Sequence, residues 1–85
     1  MKVTFSSRSW DDYLHWQAED SAILERINLL LRECGLDPFH GTGRPQPLSG
    51  VLEGWWSRRI EREHRLVYRI TSNGGRQALE VAQCR

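Results

Sequence analysis

The spacing of hydrophobic residues in the first part of the chain predicts a short strand followed by a helix. Val3 and Phe5 alternate with polar neighbours over residues 2–6, as in a strand with one buried face. Ser9 then begins a capping-box pattern, and residues 9–18 are predicted to form the first helix. The apolar positions that share one face of this helix are Trp10, Tyr13, Leu14 and Ala18.

A second stripe of apolar residues predicts a second helix that packs on a core. Asp20 is a suitable N-cap, and Gly35 is a suitable C-terminal cap. The residues of the apolar stripe are Ile23, Ile27, Leu30, Leu31 and Cys34. The residues on the solvent-exposed side are Glu25, Asn28, Arg32 and Glu33. Residues 35–50 hold all three prolines and are predicted to form a long loop, of a length that is usually functional or disordered.

The remainder of the chain is predicted to form three antiparallel strands, at residues 55–60, 64–71 and 78–84. A turn near residues 61–64 separates the first two, and the Asn-Gly in residues 72–76 predicts a hairpin between the last two. In the middle strand, one face presents Leu66, Tyr68 and Ile70, and the other presents Arg65, Val67 and Arg69.

Helices and strands are therefore segregated along the chain, which favours an α+β fold over a parallel α/β fold. We expect one domain, residues 1–85, with two N-terminal helices packed on one face of an antiparallel β-sheet. The other face of the sheet, which carries the arginines, is expected to stay open.

Charge is distributed unevenly along a chain whose formal net charge is only +1. Residues 1–40 are net acidic, whereas residues 41–85 carry eight arginines against four glutamates. This asymmetry indicates that the second half binds an anion, although exposed arginines are also common on surfaces without such a function.

Several kinds of site are not supported by the sequence. The three histidines are scattered and have no metal-ligand spacing, so neither a metal nor a cofactor is expected. Cys34 lies on an apolar stripe, and Cys34 and Cys84 are expected to be reduced thiols in a cytoplasmic protein, with a single disulfide as the alternative. No signal peptide or membrane span is predicted.

Arg59 and Arg65 come from adjacent predicted strands and are the strongest candidates for phosphate binding. Two guanidinium groups on one open face suit a phosphate, and Trp55 or Trp56 would offer a stacking surface for a base. The alternative is that one tryptophan belongs to the core and that the arginines pair with Glu61, Glu63 and Glu80.

Three segments resemble one known family. They are "SWDDYLHWQAED", "PFHGTGRPQPLSG" and "GWWSRRIEREHRLVYRI", and together they resemble the Txe/YoeB toxins of bacterial toxin–antitoxin systems, within the RelE/ParE superfamily. The resemblance implies a microbial-RNase-like α+β fold and a ribosome-dependent mRNA interferase that cuts mRNA in the ribosomal A site. It also implies a homodimer, neutralised by a YefM-like antitoxin, and a metal-independent reaction.

The implied reaction is a transesterification in which the ribose 2′-OH attacks the neighbouring phosphate. By resemblance, Arg65 is the arginine that stabilises the transition state, and Arg59 is a supporting phosphate contact. Glu63 lies beside Arg65 in the sequence and is a candidate to orient it, with an exposed turn residue as the alternative. Position 46, where the family carries the glutamate that acts as base, is Gln46 in this chain. The further residues predicted to contact RNA are Arg44, Trp56, Arg58 and Arg69.

Two departures from the family pattern bear on activity. Gln46 cannot accept a proton as a carboxylate does, and Ser49 replaces a common lysine. The family's Tyr-His-Tyr-like tail, which supplies the general acid, does not follow Cys84-Arg85. His64 is expected to point to the face opposite Arg65 and so not to substitute. We therefore expect a weakened or inactive enzyme, with an antitoxin-binding co-repressor and a DNA gyrase poison as the alternatives.

Overall fold

The computed structural model describes all residues from Met1 to Arg85 and contains two helices and five strands. The strands are β1 (Lys2–Phe5), β2 (Gln46–Pro47), β3 (Trp56–Glu61), β4 (His64–Asn73) and β5 (Arg76–Gln83). The helices are α1 (Ser7–Glu19) and α2 (Ser21–Leu36), and a short 3₁₀ turn covers Gly50–Leu52. The elements predicted from the sequence are therefore all present, and the predicted long loop also holds β2 and the 3₁₀ turn.

Helix α1 begins at Ser7, earlier than the predicted residue 9. Its N-cap is Ser6, whose hydroxyl accepts a hydrogen bond from the Ser9 amide at 3.1 Å. Ser9, the predicted cap, is fully buried inside the helix, and its hydroxyl donates to the Val81 carbonyl of β5 at 2.7 Å. The hydroxyl of Ser9 thus fixes the helix on the sheet instead of capping it.

Helix α2 begins as predicted and ends slightly later. The Asp20 carboxylate accepts from the amides of Ala22 and Ile23, which confirms it as the N-cap. Gly35 lies within the helix, which ends at Leu36, so its predicted role as a cap is wrong. The cap is Asp37, whose backbone is extended and whose amide donates to the Glu33 carbonyl.

The sheet has the order β1-β5-β4-β3-β2 and is mixed, with only its first pair parallel. β5, β4 and β3 are antiparallel neighbours, as expected, and β2, which was not predicted, adds a further antiparallel strand beside β3. β1 instead runs parallel to β5, because α1 and α2 carry the chain away from β1 and the later strands return at its side. The β4–β5 hairpin closes through Gly74 and Gly75, which both have positive φ angles that glycine adopts without strain.

The core lies between the two helices and one face of the sheet, which confirms the predicted α+β fold. Its buried hydrophobic residues are Trp16, Ile23, Ile27, Leu30, Cys34, Ile60, Leu66, Tyr68, Leu79, Val81 and Cys84. Both cysteines are free thiols, so the predicted reduced state agrees with the structure. Neither helix has the length and apolar character needed to cross a bilayer.

Candidate nucleic-acid interface

Arg59 and Arg65 lie directly opposite each other on β3 and β4, which confirms their predicted proximity. Both side chains belong to the face of the sheet that the helices leave open, because Leu66 and Arg58, the next residue pair in register, belong to the core face. The structure therefore places the two arginines opposite each other on an uncovered surface.

A small cavity of about 110 Å³ forms around this pair. Its lining residues are Gly43, Arg44, Gln46, Ser57, Arg59 and Arg65. The lining holds three arginines and no carboxylate, and none of the three arginines takes part in an ion pair with this chain's own acids. Unpaired guanidinium groups around a cavity are suited to an anion such as a phosphate.

Backbone carbonyls, and not Glu63, orient the guanidinium of Arg65. Its Nη1 donates to the carbonyls of Arg62 at 2.7 Å and His64 at 3.1 Å. The side chain of Glu63 is 81% exposed, and its carboxylate lies 3.9 Å from Nε2 of His64. The predicted orienting contact between Glu63 and Arg65 is therefore wrong, because the tight turn points Glu63 into solvent.

The loop before β3 completes the cavity. Gln46 pairs with Ser57 across the β2–β3 register and so lies on the open face. Arg44 adopts a positive φ of 52°, and the carbonyl of Gly43 accepts a 2.6 Å hydrogen bond from the Arg59 amide. The loop is thus tied to β3 beside the arginine pair, and it brings Arg44 and Gln46 to the same cavity.

Arg58 does not belong to this surface, which corrects its prediction as an RNA contact. It is fully buried on the core face of β3. Its guanidinium donates to five acceptors, which are the Tyr68 hydroxyl, the Glu33 carboxylate, and the carbonyls of Asp37, His40 and Thr42. A side chain surrounded in this way by acceptors from its own chain has no donor left for RNA.

Trp56 also lies on the core side of the sheet, so its predicted role as a base-stacking surface is wrong. It pairs in register with buried Tyr68 and packs against Phe39, with ring centroids 4.8 Å apart. Trp55, the other candidate, lies beside Arg69. The guanidinium of Arg69 lies 4.5 Å from its ring centroid.

Arg69 is held by other groups of this chain and does not line the cavity. Besides its contact with Trp55, it forms a 3.0 Å ion pair with Glu80 on β5. This ion pair agrees with the alternative prediction that Glu80 pairs with an arginine. An anion that binds Arg69 would have to displace or share these contacts, so Arg69 is a weaker candidate than Arg59 or Arg65.

No histidine or carboxylate reaches the cavity to transfer a proton. His64 packs against Trp16 on the helix side, with ring centroids 4.9 Å apart, as the alternation along the strand predicted. Gln46 is neutral, and the remaining polar side chain is the hydroxyl of Ser57. The cavity can therefore bind and stabilise negative charge, but it lacks a group of suitable pKa for general acid–base catalysis.

Two residues of structural importance, Glu33 and Thr42, were not identified from the sequence. Glu33 was predicted to face solvent, yet its carboxylate accepts from the Thr42 amide at 2.8 Å, the Thr42 hydroxyl at 2.7 Å and Arg58 at 3.2 Å. These contacts, above all the hydroxyl of Thr42, lower the pKa of Glu33. The alternation of β3 would have revealed the partner, because it places Arg58 beside Leu66 on the core face.

A family model described as "YoeB-like toxin of bacterial type II toxin-antitoxin system" matches residues 5–85. The chain belongs to this family. It is 48% identical to Toxin YoeB of Escherichia coli K12 over 85 residues, which is all of this chain and 96% of that protein. It is 49% identical to Toxin YoeB of Streptomyces coelicolor over 73 residues, with 86% of this chain and 87% of that protein covered.

Solved structures agree with this assignment. A YoeB/ParE toxin from Agrobacterium tumefaciens superposes with a TM-score of 0.95 at 50% identity, covering 100% of this chain and 96% of the other. A YoeB dimer from Staphylococcus aureus gives a TM-score of 0.89 at 35% identity, covering 100% of this chain and 94% of the other. The same toxin has been solved as a heterotetrameric YoeB–YefM toxin–antitoxin complex.

Proposed function

We propose that this YoeB-family toxin is a ribosome-dependent mRNA interferase, a metal-independent endoribonuclease whose phosphate-binding half is complete and whose proton-transfer half is impaired. The single observation that carries the proposal is the Arg59–Arg65 pair, which lines an open cavity without any compensating carboxylate. Messenger RNA on the ribosome is the proposed substrate, which places the activity in the cytoplasm.

The proposed reaction begins when the 2′-oxygen of a ribose attacks the adjacent phosphorus. A bond forms between the 2′-oxygen and phosphorus, and the bond from phosphorus to the 5′-oxygen of the next nucleotide breaks. The products are a 2′,3′-cyclic phosphate and a free 5′-hydroxyl. The 2′-hydroxyl proton must leave and the 5′-oxygen must gain one, so the net proton count is unchanged.

Arg65 and Arg59 stabilise the charge that develops on the phosphate in this scheme. Because the carbonyls of Arg62 and His64 already orient Arg65, its guanidinium needs little rearrangement as the phosphorane forms. Arg44 approaches the same cavity from the loop and adds a third positive charge. Positioning and charge stabilisation therefore supply the catalysis that this chain's residues offer.

Gln46 limits the reaction in this proposal. Its side-chain amide can donate or accept a hydrogen bond and so can orient the 2′-hydroxyl, but it cannot remove the proton. Water must then act as the base. Because general base catalysis typically contributes about 10²–10⁴-fold, we expect cleavage to be slow compared with relatives that carry a carboxylate there.

We also propose an antitoxin partner and a homodimer. The basis is the Staphylococcus aureus toxin, which is 35% identical and has been solved both as a dimer and in complex with YefM. An antitoxin segment that carries carboxylates would complement the three arginines of the cavity, and it would compete with RNA for them.

Arg65→Ala tests the enzymatic proposal most directly. Primer extension on ribosome-bound mRNA should show cleavage by the parent chain, and loss of a positioned charge-stabilising donor should lower the rate by about a hundredfold or more. Arg76→Ala, on the exposed β4–β5 hairpin, is the matched control and should cleave at the parent rate. The same comparison is made in Gln46→Glu, which supplies a carboxylate to the cavity. Absence of cleavage from both forms would refute the proposal.

The second candidate function is an antitoxin-binding co-repressor without enzymatic activity, which the neutral side chain of Gln46 favours. It predicts tight binding of the antitoxin and no cut in ribosome-bound mRNA, even when Arg65 is intact. A gyrase poison would instead change DNA supercoiling, which neither of these functions does.

A further inference from the structure

We propose that Arg58 is a positioning residue, and that its buried guanidinium holds the loop 37–46 in the one arrangement that brings Arg44 and Gln46 to the Arg59–Arg65 cavity. The positional part of this inference stands without any activity, whereas its consequence for RNA rests on the function proposed above. Arg58 itself touches neither the cavity nor solvent.

The contacts of Arg58 are concentrated on the loop. Three of its hydrogen bonds go to loop carbonyls, those of Asp37 at 2.7 Å, His40 at 2.9 Å and Thr42 at 3.2 Å. Carbonyls of a loop have no regular partners of their own, so each of these bonds fixes backbone that would otherwise turn to water. A single planar side chain thus determines the path of the loop at three separate points.

Glu33 of α2 and Tyr68 of β4 join Arg58 in holding the loop, and these three residues are called the latch. Glu33 of α2 accepts from Arg58 and also from the amide and hydroxyl of Thr42. Tyr68 of β4 accepts from Arg58 Nε at 3.1 Å and donates its own hydroxyl to the Pro38 carbonyl. Burial raises the pKa of Tyr68 to about 12, so this hydroxyl stays protonated and remains a donor.

The loop lies so close to the latch that side chains are excluded at two positions. A Cβ on Gly41 would lie 2.5 Å from a carboxylate oxygen of Glu33, and one on Gly43 would lie 2.8 Å from the Arg59 carbonyl. Both glycines also have positive φ angles, of 125° and 87°. Glycine is therefore required twice, for space and for backbone conformation, on the segment that leads into the cavity.

Arg59 connects the latch with the cavity. Arg58 and Arg59 are neighbours on β3 and point to opposite faces, the first towards the loop and the second into the cavity. The Arg59 amide donates to Gly43, the residue directly before Arg44. Loosening the latch should therefore displace Arg44 and Gln46 while the β3–β4 pair stays in place.

Thr42→Val is the primary test, because substitution of the buried Arg58 itself leaves three loop carbonyls without their donor and threatens folding. The valine keeps the shape of the side chain and removes only the hydroxyl that donates to Glu33. Thr42→Ser restores a hydroxyl and should rescue the parent behaviour. Thr71→Val, which removes a 3.5 Å hydroxyl contact within the sheet, is the matched control.

Amide hydrogen exchange reports the latch directly. In Thr42→Val, exchange of the Arg59 amide, which donates to Gly43, should accelerate about tenfold, the effect of losing one hydrogen bond to a charged group. The Ser6 amide, which donates to Val81 far from the loop, should not change. Equal acceleration at both amides would show a general loss of stability and would overturn the inference, as would no change at Arg59.

RNA binding reports whether displacement of Arg44 and Gln46 weakens the cavity. The probe is a short single-stranded RNA with methylated 2′-hydroxyls, which cannot be cleaved. Its affinity should fall by about fivefold in Thr42→Val and recover in Thr42→Ser. An unchanged affinity beside an accelerated Arg59 amide would overturn the positioning role. If the parent chain does not bind this RNA at all, the proposed function is wrong, and the exchange rates alone decide whether Arg58 holds the loop.

Discussion

Arg59 and Arg65 are directly opposite partners in the antiparallel register of β3 and β4, and they carry the same charge. Like charges at such positions destabilise a sheet, and no carboxylate lines the cavity between them to relieve the repulsion. This arrangement disfavours folding but favours the binding of an anion. The pair therefore has the properties of a binding site that is stabilised when it is occupied.

The repulsion gives a prediction for stability. Arg59→Gln should raise the free energy of unfolding by about 0.5 kcal/mol at low salt, because it removes one of two facing charges. The gain should shrink as salt screens the pair. Urea denaturation at low and high ionic strength measures both effects, and Arg76→Gln is the control. A lower stability for Arg59→Gln would show that the two arginines do not repel each other.

Gln46→Glu should restore a general base to the cavity. We expect cleavage of ribosome-bound mRNA to increase by about a hundredfold, because the carboxylate can accept the 2′-hydroxyl proton. The rate should also acquire a dependence on pH, rising as the new carboxyl ionises. Primer extension over a range of pH tests this, with Gln77→Glu on β5 as the control. A rate that stays at the parent level would mean that position 46 has no part in proton transfer.

Glu33 predicts sensitivity to acid. Its pKa is held below the ordinary value of 4.5 by Thr42 and Arg58, so it contributes stability that is present above that value. That contribution is lost as the pH falls through the lowered pKa. Asp37, whose pKa is lowered mainly by the Phe39 amide, acts in the same direction.

Thermal unfolding across this acid range should therefore show a falling midpoint. In Glu33→Gln the midpoint should be lower at neutral pH. It should also fall less steeply as the pH is lowered, since Asp37 is then the only one of the two carboxyls that still titrates. A Glu33→Gln profile parallel to that of the parent would contradict the assignment.

The two thiols should be unreactive in the folded protein. Cys34 and Cys84 are both fully buried, and burial raises the pKa of Cys34 and raises that of Cys84 to about 12. A thiol reagent at mildly alkaline pH should therefore label neither until denaturant is added, when both should react. Rapid labelling of either cysteine in the native protein would show that the α1–β5 or α2 packing opens readily.

The sequence was sufficient for the two helices, for the four longer strands and for the arginine pair, because these follow from local patterns, whereas the short β2 was missed. Asp20 and the apolar stripe determine α2, and strand alternation with a short turn brings Arg59 opposite Arg65. The predicted cap at Ser9 was wrong because Ser6 also carries a hydroxyl that can cap the helix, and only the packing of Ser9 on β5 decides between the two.

Residues whose roles depend on distant partners were assigned less well. Arg58 was grouped with the surface arginines, although its acceptors lie on α2, β4 and the intervening loop. Trp56 was taken as a stacking surface, although Phe39 of the loop covers it. Composition alone does not distinguish a buried arginine from an exposed one, whereas the parity of positions along β3 does.

The parallel pairing of β1 with β5 has a consequence for how a cell makes this protein. β1 has no other strand to pair with, and its partner residues, Ala78 to Val81, are translated after both helices and the β3–β4 pair. The sheet therefore cannot close at β1 until β5 has emerged from the ribosome. A growing chain that already contains the β3–β4 arginines still lacks the strand that secures α1, because the hydroxyl of Ser9 is held by the Val81 carbonyl.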